Sequence, residues 1–401
     1  MSSASEKPAP LRLAVVGAGT IGRHHGHVAS AHPDLELVAF VDAVPAALLA
    51  AADDVEASGA SRPLTFGSIS EAASTTAIDL FAICTPSGLH VQLAEEALSV
   101  GAHVVIEKPL DTVMPRARRI AELATVATAR GLMVSVISQH RFDPASVAVA
   151  DAAHGGAFGA LTSGVCSVAW YRSQGYYDSG QWRGTWELDG GGAVANQGIH
   201  TVDLLVWMLG RPVTISAETA LLAHEGIEVE DVAAATIRFE NGALGVIHCT
   251  TAAYPGLSAR LQVHGSRGSA IIDDDKLAYF HAADQDAFAA ASTASGTDAA
   301  PDAQDQKESI VAPQFLAGGH EDDGFLAGHF RQYTDVVEAI RTGRAPGVTV
   351  DAALLSLAVV RGLYVSATLG EAVLIDDVLA GRYDEVEPVV GGGQSLEGVV
   401  R

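Results

Sequence analysis

Cysteine is scarce in this chain. Cys84, Cys166 and Cys249 stand far apart among 401 residues, with no CxxC pair. That spacing excludes a disulfide framework or a zinc ribbon and fits small core residues of a reduced, cytoplasmic protein. Positive charge is scarce too: 24 Lys and Arg stand against 48 Asp and Glu, a formal net charge of −24. Nucleic acid and anionic membrane both demand cationic surface, so neither is an expected partner. No uninterrupted apolar run reaches the roughly 20 residues that cross a bilayer. Residues 1–10 lack an apolar core and read as a disordered lead-in, not a signal peptide. There are no internal repeats.

What is present is a globular composition, 48% apolar and 18% charged, long enough for two domains. The most informative stretch runs from Leu11 to Asp42. A buried strand (Leu11–Val16) leads into Gly17-Ala-Gly19-Thr20-Ile21-Gly22, then a helical run, then a second strand ending on Asp42. A dinucleotide needs this order. Gly17 makes the tight turn, Gly19 admits the pyrophosphate to the backbone, and Gly22 lets helix and strand pack closely. The helix end offers free N–H groups to phosphate. Asp42 is placed to accept from the ribose hydroxyls, and its charge favours NAD over NADP. Arg23 partly offsets that charge, so NADP stays an alternative.

Short strands continue at Ile78–Cys84, His103–Ile106 and Leu132–Ile137, separated by helical stretches such as Leu89–Val100 and Pro115–Arg130. Such alternation predicts an α/β fold with a doubly wound parallel sheet over residues 11–140. Beyond residue 150 the strands lengthen and follow one another through turns such as Asn241-Gly242, a hairpin signature. Residues 141–390 are therefore expected to form a second α/β domain with a large, mostly antiparallel open sheet. Helices are expected at Ile199–Leu209, His329–Thr342 and Ala352–Leu369. Residues 282–313, rich in Ala, Asp, Ser and Gln, read as a mobile insertion, and 391–401 as a tail.

Several residues carry chemistry. In Glu107-Lys108-Pro109 a lysine ends a buried strand, and the proline restricts its backbone. Beside a cationic nicotinamide such an amine can take a proton from an alcohol; paired with Glu107, it would be only a surface lysine. Asn196 and His200, after three glycines, share a face if helical geometry already holds there. Asp203, one turn on, is placed to orient the His200 ring, and His200 to hold a hydroxyl; the alternative is a core histidine. Arg172, Tyr176, Trp182 and Arg183 combine flat rings with forked donors, which suits a polyhydroxylated ligand or simply an anchored loop. His140 follows the last parallel strand and either reaches substrate or braces the junction. His24-His25-Gly26-His27 lacks acids at ligand spacing, so no metal is expected.

Gly17–Gly22, Thr85-Pro86-Ser87-Gly88-Leu89-His90, Glu107-Lys108-Pro109, Trp182-Arg183 and Gly190–Asp203 together resemble the glucose-fructose oxidoreductase / inositol dehydrogenase / rhizopine catabolism (Gfo/Idh/MocA) family. Their order and spacing agree across nearly the whole chain. The resemblance implies NAD(P)-dependent dehydrogenation of a sugar, glycoside or cyclic polyol, in a homodimer or homotetramer associating through the open sheet. It implies that Lys108 is the catalytic lysine, followed by a cis proline, that His200 is the active-site histidine, and that Thr85, Pro86, His90 and Glu107 border the cofactor. Asn196 falls where many members carry aspartate. A neutral amide can hold a hydroxyl but cannot accept its proton. The alternatives are an NADPH-dependent reductase of a keto-sugar or nucleotide sugar, and a catalytically silent cofactor-binding homologue.

Overall fold

A computed structural model describes residues 8–285, 288–289, 304–320 and 324–391. Much of the segment read as an insertion and nearly all of the tail lie outside the described residues. The chain divides into two compact units.

The first unit is built on six parallel strands: β1 (Leu11–Val16), β2 (Leu35–Val41), β3 (Leu64–Phe66), β4 (Leu80–Ile83), β5 (His103–Ile106) and β6 (Val134–Val136). Their order is β3-β2-β1-β4-β5-β6. The order reverses beside β1, so the ends of β1 and β4 flank the crevice where open parallel sheets bind ligands. Near-continuous Val, Ile, Leu and Phe make these strands suitable for burial on both faces. Leu13, Val15, Phe40, Leu80 and Ile83 are almost completely buried. Helix α1 (Thr20–Ala31) follows β1, and α2 (Pro45–Ala57) follows β2.

The first unit also takes in residues 324–353, which the sequence reading assigned to the second domain. The reason is packing. Helix α9 (Gly324–Thr342) inserts Tyr333, Val336 and Val337 into the cluster formed by Leu13, Val15, Phe40 and Leu80. Gln332 of this helix donates to the Val136 carbonyl at 2.8 Å and accepts from the Ser138 N–H at 3.0 Å, pairing backbone at the edge strand. An amphipathic pattern shows that a helix has a buried face, not which partner covers it.

The second unit carries eight strands in the order β13-β12-β11-β7-β10-β9-β8-β14. They are β7 (Leu161–Ala169), β8 (Pro212–Ala220), β9 (Val232–Phe239), β10 (Leu244–Thr250), β11 (Ala259–Gly265), β12 (Gly268–Asp273), β13 (Lys276–Ala282) and β14 (Val373–Leu374). Only β7 and β10 pair in parallel. The Asn241-Gly242 turn joins β9 to β10, with Gly242 at φ +90°. Helix α8 (Ile199–Leu209) lies against β7 and β11, and α6 (Pro144–His154) packs beside it. The other face alternates toward solvent, exposing Leu244 and Val246. Residues 304–316, expected to be mobile in part, run along β13: Gln306 N–H donates to the Phe280 carbonyl, and Leu316 bridges to Leu277.

Helix α10 (Val350–Leu369) reaches a mean hydropathy of 1.7, long and apolar enough on composition to cross a membrane. It takes in the helix expected at Ala352–Leu369, and Asp351 and Arg361 interrupt its apolar run. Leu357, Val359, Val360, Leu363 and Val365 are buried in the protein, which accounts for its apolarity.

The placement of α9 has a thermodynamic consequence. Tyr333 is fully buried, and Tyr333→Ala is expected to cost about 3–5 kcal/mol, the range for truncating a buried aromatic. Urea denaturation should show the same transition weakened by Leu13→Ala, because both side chains belong to one core.

Candidate active site

The first unit carries the glycine loop and Lys108. Gly17 has φ +98°, a conformation open to glycine, and a Cβ there would lie 2.8 Å from the Cys84 carbonyl. At Gly22 a Cβ would fall 1.7 Å from the Gly17 oxygen. Helix α1 thus presses directly on the loop that feeds it. At Gly19 a Cβ would meet no protein atom within 4 Å. Internal packing therefore dictates Gly17 and Gly22 but not Gly19, and Gly19, Thr20 and Ile21 are exposed. No side chain caps the start of α1. A bare loop and an uncapped helix end fit a pyrophosphate.

Asp42 ends β2 and braces this loop. Its Oδ2 accepts the Ala18 N–H at 2.7 Å and its Oδ1 the Val44 N–H at 2.9 Å. Each oxygen keeps a further lone pair for a ribose hydroxyl. After β4, Thr85 and Pro86 begin the next loop, and the Thr85 hydroxyl is buried with no partner among the described residues. Such an orphan in a loop at the crevice is a group that a ligand satisfies. His90 has another role than the expected cofactor contact. It is fully buried, with Nδ1 3.1 Å from the Leu110 carbonyl and Nε2 3.0 Å from the Thr85 carbonyl. It ties the loop after β4 to the loop after β5, and burial lowers its pKa.

Glu107, at the end of β5, is buried. Its Oε1 meets His25 Nε2 at 3.0 Å and its Oε2 accepts the Lys108 N–H at 2.8 Å. Tyr333 Oη lies 2.6 Å from His25 Nδ1. His329 Nε2 is 3.5 Å from Glu107 Oε1. One proton assignment satisfies this chain: the tyrosine donates to a neutral His25, which donates to an ionised Glu107. Burial lowers the His25 pKa and raises that of Tyr333, which fits both assignments. Burial opposes the charge on Glu107, but the hydrogen bond from His25, with His329 nearby, holds its carboxyl well below the usual range. The Lys108–Pro109 peptide is cis, as the resemblance implies. The Lys108 side chain is half-buried, and its ammonium has no ion-pair partner among the described residues. Glu107 holds the lysine backbone instead of neutralising its side chain.

The second unit carries Asn196 and His200. Residues Ala193–Gly198 form a π-helical turn that runs into α8, so Asn196 and His200 do not sit on one regular α-helical face. Asn196 Nδ2 donates to Asp189 Oδ1 at 2.8 Å. The His200 ring meets the His140 ring edge to face, with centroids 4.9 Å apart. His140 Nδ1 lies 2.9 Å from Asp143 and 3.0 Å from Asp275. Burial opposes a charge on His140, yet the two carboxylates overcome it and push its pKa up to about 10. His200 therefore faces a cation at neutral pH. Asp203, expected to orient His200, has two strong partners elsewhere: Arg141 donates two bonds to it, at 2.7 and 2.6 Å, and Ser356 donates at 2.6 Å.

The glycines before the π turn are held by Glu230, which is completely buried. It accepts N–H groups from Gly192 at 3.0 Å and Val194 at 2.9 Å, and the Tyr364 hydroxyl at 2.9 Å. A Cβ at Gly192 would lie 1.8 Å from the Glu230 carbonyl oxygen. Arg172, Tyr176, Trp182 and Arg183 do form one cluster. The Arg183 guanidinium lies 4.2 Å from the Tyr176 ring centroid and 4.4 Å from that of Trp182; Arg172 lies 5.3 Å from Tyr176. The sequence offered no sign of a role for Tyr333, His329 or Glu230, while Arg141, like His140 a residue expected to reach substrate or to brace the junction, pairs with Asp203. Nothing local marks them, because their partners are distant in the chain.

Two outcomes check this geometry. Gly22→Ala should destabilise the fold and lose NAD, whereas Gly19→Ala should keep its thermal midpoint and weaken NAD binding alone, read by fluorescence titration. Burial raises the Glu230 pKa to about 7, above its ordinary 4.5. A raised folded pKa favours the protonated form, so stability from this group is full below about pH 4.5 and lost as pH rises through 7. Glu230→Gln should flatten that slope in urea midpoints measured from pH 5 to 8.

Residues 11–138 match a family model described as an oxidoreductase family with an NAD-binding Rossmann fold, and residues 147–271 match the GFO/IDH/MocA C-terminal domain. Inositol 2-dehydrogenase of Rhizobium meliloti (strain 1021) is 28% identical over 270 residues, covering 66% of this chain and 76% of the relative. The rhizopine catabolism protein MocA of Rhizobium meliloti is 26% identical, over 65% of this chain and 77% of its own. Among solved structures, the WlbA dehydrogenase of Bordetella pertussis, in complex with NADH and UDP-GlcNAcA, is 31% identical at a TM-score of 0.75, covering 92% of this chain and 98% of that one. With family models matching residues 11–138 and 147–271, the chain belongs to the GFO/IDH/MocA family of NAD-dependent oxidoreductases.

Proposed function

We propose that this oxidoreductase dehydrogenates a ring CH–OH group of a sugar, glycoside or cyclic polyol. The single observation that carries this reading is Lys108: an amine just past the end of β5, without an ion pair among the described residues and with its backbone N–H fixed by Glu107. Bound NAD supplies the hydride acceptor. The protein's own task is to place the hydroxyl and remove its proton. In its neutral amine form Lys108 Nζ takes that proton and becomes ammonium as the carbon–oxygen double bond forms and the hydride passes to NAD. His200 holds the same oxygen. Asn196 donates to Asp189, and its carbonyl end is left to accept from a neighbouring hydroxyl.

NAD is preferred over NADP because Asp42 brings a negative charge to the ribose edge. A nucleotide sugar is the second reading, favoured by the likeness to the WlbA dehydrogenase across most of both chains. The alternating apolar residues on the uncovered sheet face, Leu244 and Val246 among them, support self-association through that face.

Lys108→Ala is expected to lower kcat about 10²–10⁴-fold, the usual contribution of a general base, with NAD affinity retained. Absorbance at 340 nm across a polyol and sugar panel, together with NAD titration, measures both. Near-wild-type turnover in the variant would remove Lys108 from the mechanism.

A further inference from the structure

We propose that Arg172 and Arg183, gathered around Tyr176, form a subsite for an anionic oxygen group, so that the substrate is an acidic sugar: a uronate, or a sugar carrying phosphate. This deepens the dehydrogenase reading and rests on it for the word substrate. The subsite itself stands on observations within the second unit.

Tyr176 sits on the short helix α7 (Gln174–Asp178), whose first turn is capped by Ser173. Arg172 is fixed just before it. Its backbone N–H donates to the Thr251 carbonyl at 2.8 Å, and its own carbonyl accepts from His224 at 2.8 Å. Arg172 also stacks on Trp170, 5.2 Å from the ring centroid, and Arg183 reaches Tyr176 from the other side of its loop. Both side chains are half-buried. Two cations thus share one tyrosine ring.

No carboxylate compensates them. Neither guanidinium forms an ion pair among the described residues, and the Nε of each is buried without a hydrogen-bond partner. This chain has twice as many acids as bases, and most of its other arginines are paired, including Arg12, Arg62, Arg119, Arg141 and Arg344. Like charges brought together repel, and buried donors left unmade are costly. Stacking on aromatic faces holds the planes in place while leaving their edges to donate. Planar forked donors of this kind match carboxylate and phosphate oxygens in a way that a neutral hydroxyl does not. Gln197 adds a second polar element. It is buried, its Nε2 lies 3.5 Å from the Tyr176 hydroxyl, and its Oε1 has no partner among the described residues. An acceptor beside the cations suits the hydroxyl next to the acidic group.

The test is calorimetry on the full-length, NAD-loaded protein with glucose, glucuronate, glucose 1-phosphate and UDP-glucose as probes. At least one acidic probe should bind at least about tenfold more tightly than glucose, as expected of charge-assisted bonds. That preference should shrink as salt rises, because ion pairing at half-buried sites is screened. Glucuronate against the two phosphorylated probes identifies which acid the site takes. Arg172→Gln and Arg183→Gln should each erase the preference, while Arg183→Lys, which keeps the charge, should retain part of it. NAD affinity serves as the folding control. Equal binding of glucose and every acidic probe would overturn the subsite, as would an undiminished preference in the double glutamine variant. Turnover of the same probes separates the two claims. Oxidation of neutral sugars without acid preference keeps the dehydrogenase and removes the subsite. Tight acid binding with no oxidation of any probe keeps the subsite and removes the sugar-dehydrogenase reading.

Discussion

One buried carboxylate organises the cofactor half of this protein. Glu107 collects the imidazole of His25 from α1, lies beside His329 of α9 and accepts the Lys108 N–H from its own strand end. A charge so far from water is tolerable only when hydrogen bonds replace its hydration, and removing any one of them leaves the rest exposed to the full desolvation cost. The requirement therefore runs outward. It needs α1 to lie close, which needs Gly22; it needs α9 to dock, which brings Tyr333 into the core. Lys108 inherits its position from this arrangement.

The second unit repeats the device with different parts. Glu230 is as deeply buried as Glu107 and gathers two N–H groups and a tyrosine hydroxyl instead of imidazoles. At Glu230 burial prevails over these bonds and the pKa rises, whereas at Glu107 the side-chain donation from His25 outweighs burial and the pKa falls. The consequence is positional. The glycines before the π turn are held close enough that Gly192 admits no side chain, and the turn delivers Asn196 and His200 at the head of α8. Asn196 and His200 are thus carried by a turn that a buried acid holds, an acid not itself among the residues proposed to touch substrate.

Local patterns in the sequence carry much of this. The glycine spacing, Asp42 at its strand end and the apolar strands of the first unit are short-range features, and the structure shows them as a parallel Rossmann sheet. The hairpin at Asn241-Gly242 was equally legible. Residues whose meaning depends on a distant partner were not. Tyr333 and His25 are 308 positions apart, and no periodicity links them. Helix α9 was recognised as a helix but placed in the wrong unit, since its apolar stripe would suit either core. Within His24-His25-Gly26-His27, His25 belongs to a hydrogen-bonded chain with Tyr333 and Glu107 that no local pattern announces. His90, picked out for the cofactor, braces two loops. Asp203, picked out for His200, holds Arg141.

Charge distribution gives the remaining step. A chain this acidic must repel an acidic ligand at long range, and screening by salt limits that repulsion to roughly a nanometre. Inside that distance local arrangement decides. Among the described residues, Lys108, Arg172 and Arg183 are cations without an ion pair, and the two arginines are gathered around one ring, that of Tyr176. His140, by contrast, is a cation already flanked by Asp143 and Asp275, so its charge is largely neutralised before it meets His200. A neutral polyol would gain little from leaving two arginines unpaired, since hydroxyls are satisfied by amides and neutral imidazoles at lower cost. The unpaired arginines gain a physical reason once the ligand brings the missing negative charge.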